Sequence, residues 1–403
     1  MAAPRDAADA EYGRTSRRRV LSPFYPASPC AASPDCVSHF FDPSCFAACF
    51  PNLTPHFTFE SQIMTIRQKK LNQQTIVITG ATSGIGLTTA RMAGRYGANL
   101  VLAARNGGAL DQLASELGSQ GVKVATVVAD VGKEADVARI ARRAVERFGR
   151  FDTWVNNAGI SVYGRIEEVG IEDFQRLFDT NFWGVVYGSR EAVSHFKRHG
   201  GGALINLGSE LSEVAVPLQG MYSASKHAVK GFTDSLRIEL ENEAAPVSVT
   251  LIKPAGIDTM LTVHAKNYMD KEPALPPPIY APDVVAEAIL HAAQHPQRDV
   301  FIGAASKLNA AGAYHAPRLL DKILGLAAFG LQKRDQPSAP NRRDALHAFD
   351  PETELRERSG LPKKVHETSS YTRASLQSPA LKNALIGGGL LFAAWSLARR
   401  QTS

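Results

Sequence analysis

Short β-branched apolar runs, each followed by a stretch of helical length, recur through the middle of this chain. Thr75–Thr79, Asn99–Ala103, Lys123–Ala129, Phe151–Val155, Gly202–Leu207, Val247–Ile252 and Asp299–Gly303 predict seven strands. Between them, stretches such as Ala135–Phe148 and Ile171–Phe196 carry apolar residues at helical spacing. Strands that are apolar almost throughout suit a sheet covered on both faces, and their alternation with helices makes that sheet parallel. The pattern predicts one doubly wound α/β domain over about residues 70–305.

The flanks have a different texture. Residues 1–63 are rich in proline, alanine and serine without period 2 or 3.6, and read as a flexible or non-native extension reaching residue 69. Met64 opens an ordinary lead-in to the first strand, so translation from an upstream start codon would account for that segment. Leu308–Leu331 is helix-like and in places amphipathic, which makes 306–334 a helical extension. Residues 335–380, polar, charged and proline-containing, predict an irregular linker. The last stretch, 381–403, holds the uncharged run Ala384–Ala398 between Lys382 and Arg399-Arg400. Such a run spans about 22 Å as a helix against roughly 30 Å of hydrocarbon, so with Leu381 and snorkelling basic ends it is a candidate membrane anchor. The alternative is a terminal helix docked on the enzyme or on a second subunit.

Composition narrows the function classes. With 403 residues, 44% hydrophobic and 21% charged, the chain can bury a large core, which excludes fibrous and wholly disordered proteins. The net charge of +6 invites nucleic acid as a partner, yet residues 71–330 carry 25 basic and 26 acidic side chains. The basic excess sits in the tails, so no phosphate-tracking surface and no nucleic-acid partner are expected. All four cysteines precede residue 50 and none forms a C-x-x-C pair, so no metal site is expected. A cysteine-free core fits a reducing, cytoplasmic compartment, and no apolar run follows Arg17-Arg18-Arg19 as a secretory leader requires.

Candidate chemistry lies at strand ends. The first strand runs into Thr79-Gly80-Ala81-Thr82-Ser83-Gly84-Ile85-Gly86 and then a helix. A glycine turn between strand and helix lets backbone N–H groups approach a pyrophosphate, helped by the helix dipole; a merely tight turn is the alternative. Arg105 follows strand two, where arginine suits an adenosine 2′-phosphate, the alternative being a solvated surface charge. Asp130-Val131 and Asn156-Asn157-Ala158-Gly159 follow strands three and four, at the carboxyl ends where open α/β sheets bind ligands. Tyr222 and Lys226 are four apart, so on a helix phenol and ammonium share a face. A lysine so placed lowers a phenol's pKa toward the range useful for proton transfer. Ser209 precedes Tyr222 by 13 residues, and Asn181 lies within the preceding helix.

TGATSGIG, NNAG, Asn181, Ser209 and YSASK, in this order and spacing, resemble the short-chain dehydrogenase/reductase family over residues 70–305, about 60% of the chain. The resemblance implies a Rossmann sheet, a nicotinamide cofactor, and hydride transfer to or from the carbon of a small-molecule carbonyl or secondary alcohol. It implies that Tyr222 is the general acid/base, that Lys226 holds the nicotinamide ribose and tunes the phenol, that Ser209 orients the substrate oxygen, and that Asn181 keeps a relay water. It places the cofactor on Gly80, Ser83, Gly84, Ile85, Gly86, Arg105, Asp130, Val131, Asn157, Ala158, Gly159, Tyr222 and Lys226. Pro254, Ile257 and Thr259 join them from a segment in which Ala255 stands where the family has glycine. Arg105 favours NADP(H) over NAD(H), although Ala81, Thr82 and Ser83 add no second basic residue. Family analogy implies a homo-oligomer. Thr259–Ala281, the lid segment of such proteins, is long and partly apolar, which suits a lipophilic substrate or a simple cover. A non-catalytic NADP(H)-binding sensor or scaffold is the competing class; the full Asn-Ser-Tyr-Lys set favours an enzyme.

Overall fold

The structure, a computed structural model, describes residues 68–377 apart from Glu354 and Lys363. The expectations for residues 1–63 and for the apolar run in 381–403 fall outside the described residues. Among the described residues no helix is long and apolar enough to cross a membrane.

In chain order the elements are β1 (Thr75–Thr79), α1 (Gly84–Arg95), β2 (Asn99–Ala104), α2 (Gly107–Ser119), β3 (Val124–Val128), α3 (Glu134–Phe148) and β4 (Thr153–Asn156). The short β5 (Val162–Tyr163) precedes α4 (Ile171–Phe178), a π-helical turn (Asp179–Trp183), α5 (Gly184–Arg198), β6 (Gly202–Leu207), α6 (Gly220–Asn242) and β7 (Val247–Pro254). The lid contains β8 (Gly256–Ile257), α7 (Leu261–His264), β9 (Lys266–Asn267), β10 (Lys271–Pro273) and β11 (Ile279–Tyr280). After it come α8 (Pro282–Ala292), β12 (Asp299–Ile302), α9 (Ala304–His315), α10 (Pro317–Leu331), β13 (Lys333–Pro337) and α11 (Ser370–Gln377).

All seven expected strands form, in one parallel sheet of order β12-β7-β6-β4-β1-β2-β3. Alternate residues of each strand serve opposite faces. Ile76 and Ile78 join a core with Leu87 of α1, Leu113 of α2 and Ile289 of α8, whereas Val77 joins Val137 and Ile140 of α3 and Phe196 of α5. Burial on both faces is why the strands read as unbroken apolar runs. From β1 the chain winds outward to β2 and β3, then returns to β4 on the other side. That reversal opens a crevice at the carboxyl ends of β1 and β4, the place where such sheets take ligands.

Two expectations change. The helix-like stretch 308–331 is two helices, broken where Pro317 starts α10, because proline lacks the N–H that a helix interior requires. Of the polar stretch 335–380, expected to be an irregular linker, the described residues instead pack as a strap against the lid and the glycine turn. β13 pairs antiparallel with β10, and Leu346 is fully buried. Its Arg342 donates to the carbonyls of Thr262, Val263 and Ala265 and pairs with Glu272 at 2.9 Å. Farther on, Leu355 N–H donates to the Thr82 carbonyl, Gly84 N–H donates to the Arg356 carbonyl, and Ser359 donates through N–H and Oγ to Asp258. The strap is polar because it is held by backbone carbonyls and charged pairs, which leave no apolar periodicity to read.

Candidate active site

A cavity of about 260 Å³ lies along the carboxyl ends of the strands. Its wall includes Gly80, Ser83, Gly84 and Ile85 of the glycine turn, Arg105, Asp130, Val131, Asn157, Ala158, Gly159, Ser209, Tyr222, Lys226, Pro254, Ile257 and Thr259. The structure therefore gathers nearly the whole expected set into one space. Gly86 and Asn181 are the exceptions, buried just behind that wall.

The glycine turn is built for close approach. Gly80 sits at φ +65°, and a Cβ there would meet the Ala158 Cα at 2.8 Å. A Cβ on Gly86 would lie 2.1 Å from the Gly80 carbonyl oxygen, so this glycine lets α1 close onto the turn. Asn157, in the cavity wall, also braces the turn: Nδ2 donates to the carbonyls of Thr79 and Gly80 at 2.9 and 3.1 Å. Thr79 Oγ1 in return accepts from the N–H groups of Asn157 and Ala158. Downstream, Ala255 is not among the residues at positive φ, so alanine fits where the family has glycine.

Just beyond β2, Arg105 donates to the carbonyls of Ala345 (2.6 Å) and Leu346 (3.2 Å) of the strap. Arg176, which the sequence did not single out, donates to the same Leu346 carbonyl at 3.1 Å and pairs with Asp130 at 2.8 Å. Asp130 also accepts from Gly132 N–H at 3.0 Å. Both guanidinium groups are thus oriented by backbone from 170 and more positions away. No local pattern signals such a contact, because the acceptors are backbone carbonyls.

The chemistry sits at the other end. Ser209 closes β6 and caps a 3₁₀ turn at Glu210–Ser212, its Oγ accepting from Leu211 N–H at 3.1 Å. Ser209 and Tyr222 face the same cavity. Tyr222 and Lys226 lie one turn apart on the buried face of α6, with Lys226 Nζ 5.7 Å from the Tyr222 ring centre. Nζ donates to the Leu207 carbonyl at 2.9 Å. Burial pushes the Tyr222 phenol up to about 12, while Ser209 works the other way. Desolvation thus sets the direction, opposite to the lowering expected from a neighbouring lysine. Burial also brings the Lys226 ammonium down to about 8.

Asn181 is fully buried in the π-helical turn between α4 and α5. Its Oδ1 accepts from Ile160 N–H and its Nδ2 donates to the Ile160 carbonyl, both at 2.9 Å. A third bond, 3.3 Å, reaches Ser225 Oγ. An inserted π turn re-aims one side chain, a common device beside functional sites. Two further wall residues escaped the sequence reading. Glu210, whose carboxyl burial pushes up, accepts from Asn309 of α9 at 3.0 Å, and His264 of the lid shares a 2.7 Å hydrogen bond with Thr353 of the strap. Around them the wall is apolar, with Ile160, Leu211, Val216, Met260, Leu261 and Leu275.

A glycine turn at the switch point of a parallel sheet, sharing one cavity with a serine, a tyrosine and a lysine, defines a nicotinamide-dependent oxidoreductase. Comparison agrees. The sequence profile described as short chain dehydrogenase matches residues 74–269. The uncharacterized oxidoreductase YxnA of Bacillus subtilis (strain 168) is 47% identical over 337 residues, covering 83% of this chain and 93% of that protein. Among solved structures, a short chain dehydrogenase/reductase from Burkholderia phymatum in complex with NAD is similar at 26% identity, TM-score 0.57, over 62% of this chain and 96% of that one. An alcohol dehydrogenase from Thermococcus sibiricus complexed with 5-hydroxy-NADP is similar at 29% identity, TM-score 0.50, over 57% and 95%. The chain belongs to the short-chain dehydrogenase/reductase family and is an NAD(P)-dependent oxidoreductase.

Proposed function

We propose that the protein reduces the carbonyl group of a lipophilic small molecule, or oxidises the corresponding secondary alcohol, with NADP(H) preferred over NAD(H). The observation that carries this reading is that Ser209, Tyr222 and Lys226 line one cavity together with the glycine turn. The cradle at Gly80 and Gly86, which side chains would fill, fits a dinucleotide. When bound, the nicotinamide supplies or accepts the hydride.

The chain's own residues do the rest. A phenol near 12 is neutral at physiological pH, the form that donates a proton to a carbonyl oxygen as it gains negative charge. Ser209, rigid at its cap, places its hydroxyl beside that oxygen and stabilises the developing charge. Lys226 keeps two N–H donors beyond the one spent on Leu207, enough to hold a ribose hydroxyl and to attract phenolate charge. Asn181 serves as a positioning residue that fixes the backbone at Ile160 in the cavity wall.

Arg105 supports the NADP(H) preference. It directly follows β2 and lines the cavity wall, which Arg176 also lines. The apolar wall supports a lipophilic substrate. The test is oxidation of NADPH and NADH by the purified protein with a panel of aliphatic and cyclic ketones and aldehydes. NADPH-dependent turnover that rises with substrate apolarity is expected; binding of NADPH with no turnover of any carbonyl would overturn the reading.

A further inference from the structure

Gln332, the residue that follows α10, is buried to 1% exposure and lines the same cavity as Tyr222. Its amide nitrogen is committed. Nε2 donates to the Pro217 carbonyl at 2.8 Å and to the Ala328 carbonyl at 3.2 Å. Both of those groups can only accept, which fixes the amide with nitrogen toward them and oxygen away. Gln332 Oε1 is left without a hydrogen-bond partner among the described residues. Nearby, Tyr163, Leu218, Ala265, Met269 and Phe329 form one largely apolar cluster.

A buried amide oxygen with no partner is costly, and native structures keep such groups mainly where a ligand or ordered water completes them. This one is held rigidly. Gln332 backbone N–H donates to Ala328, its carbonyl accepts from Ala274 N–H of the lid, and its side chain grips the Pro217 carbonyl just before Leu218, which sits at φ +65°. The acceptor is therefore preorganised, beside a largely apolar cluster.

We propose that the substrate carries a hydroxyl group remote from its reacting carbon and that Gln332 Oε1 accepts its proton, making Gln332 a specificity-determining residue. The inference rests on the oxidoreductase reading above and names the chemical class of its substrate: a hydroxylated lipophilic ketone or the diol it interconverts with. A site built to bond a hydroxyl rejects the analogue lacking it far more strongly than an apolar pocket rejects a missing methylene.

The test compares three series across chain length, from six to sixteen carbons: ω-hydroxy-2-alkanones, their methyl ethers, and the plain 2-alkanones. The methyl ether keeps the oxygen as an acceptor and removes only the donor. In the wild type, kcat/KM for the hydroxy ketone is expected to exceed that of its ether at least about tenfold over a narrow range of lengths. Gln332→Met, and separately Gln332→Leu, should bring that ratio close to one. Circular dichroism and NADPH binding verify that each variant is folded, and the wild-type length scan stands without them. Reduction of the plain alkanones with no length favouring the hydroxyl overturns this inference alone. A ratio that survives in both folded variants assigns the donor's partner elsewhere and overturns it as well. No reduction of any member with either nucleotide removes the proposed function and this inference together.

Discussion

Arg105 Nη2, at the end of β2, donates to the carbonyl oxygen of Ala345 at 2.6 Å across 240 positions of sequence. Arg176 meets the neighbouring Leu346 carbonyl, so two arginines of the cavity wall are aimed by one strap of main chain.

Replacing Arg105 with alanine should lower the ratio of kcat/KM for NADPH to that for NADH by about tenfold or more, since a guanidinium meets phosphate through two parallel bonds. Arg105→Lys should recover only part of the ratio. Steady-state kinetics with both nucleotides measures it, and an unmoved ratio would reduce Arg105 to a tether for the strap.

The strap itself depends on Arg342, whose guanidinium joins Glu272 and three lid carbonyls. Hydrogen bonds to a charged group contribute about 1.5–3 kcal/mol each when formed, so Arg342→Ala should free this segment well before the sheet unfolds. Limited proteolysis between residues 340 and 360 should accelerate, and KM for NADPH should rise. Equal cleavage rates in variant and wild type would mean that β13 and Leu346 hold the strap unaided.

Tyr222→Phe removes the proton donor and keeps the ring packed on α6. Turnover should fall at least about a hundredfold, the scale of general acid catalysis, with NADPH binding retained. Stopped-flow reduction of a good substrate, paired with a fluorescence titration of NADPH, separates the two quantities. Near wild-type turnover in the variant would remove Tyr222 from the mechanism.

Acid should destabilise the fold earlier than carboxylates alone require. His195, stacked on Phe151 at 3.8 Å and accepting its N–H through Nε2, is brought down to about 4 by burial, and His264 likewise. In the unfolded chain both bind a proton near their ordinary value of 6.5, so the unfolded state takes up protons first as pH falls. Stability is whole above about pH 6.5 and is lost between there and about pH 4, by up to about 1.4 kcal/mol per pH unit for each histidine. His195→Gln keeps an acceptor for Phe151 N–H without a titrating group. Urea melts at pH 7.5, 6 and 5 should show a shallower acid slope in that variant; an unchanged slope would assign the loss to other groups.

Much of this architecture is local in origin. The seven strands announce themselves because a sheet covered on both faces needs apolar residues throughout, and the turn Thr79–Gly86 is readable because close backbone approach demands glycine at fixed spacing. Tyr222 and Lys226 are legible as a pair because helical geometry alone puts positions four apart on one face. Tertiary structure decided what no spacing encodes. Asn157 braces the turn as well as lining the cavity, desolvation raises the Tyr222 phenol, and a polar segment read as a linker packs against Arg105 at the cavity. Those outcomes rest on burial and on hydrogen bonds to backbone carbonyls. Every residue carries the same carbonyl whatever its side chain, so a strap held by Ala345 and Leu346 leaves no mark in the sequence until the chain has folded.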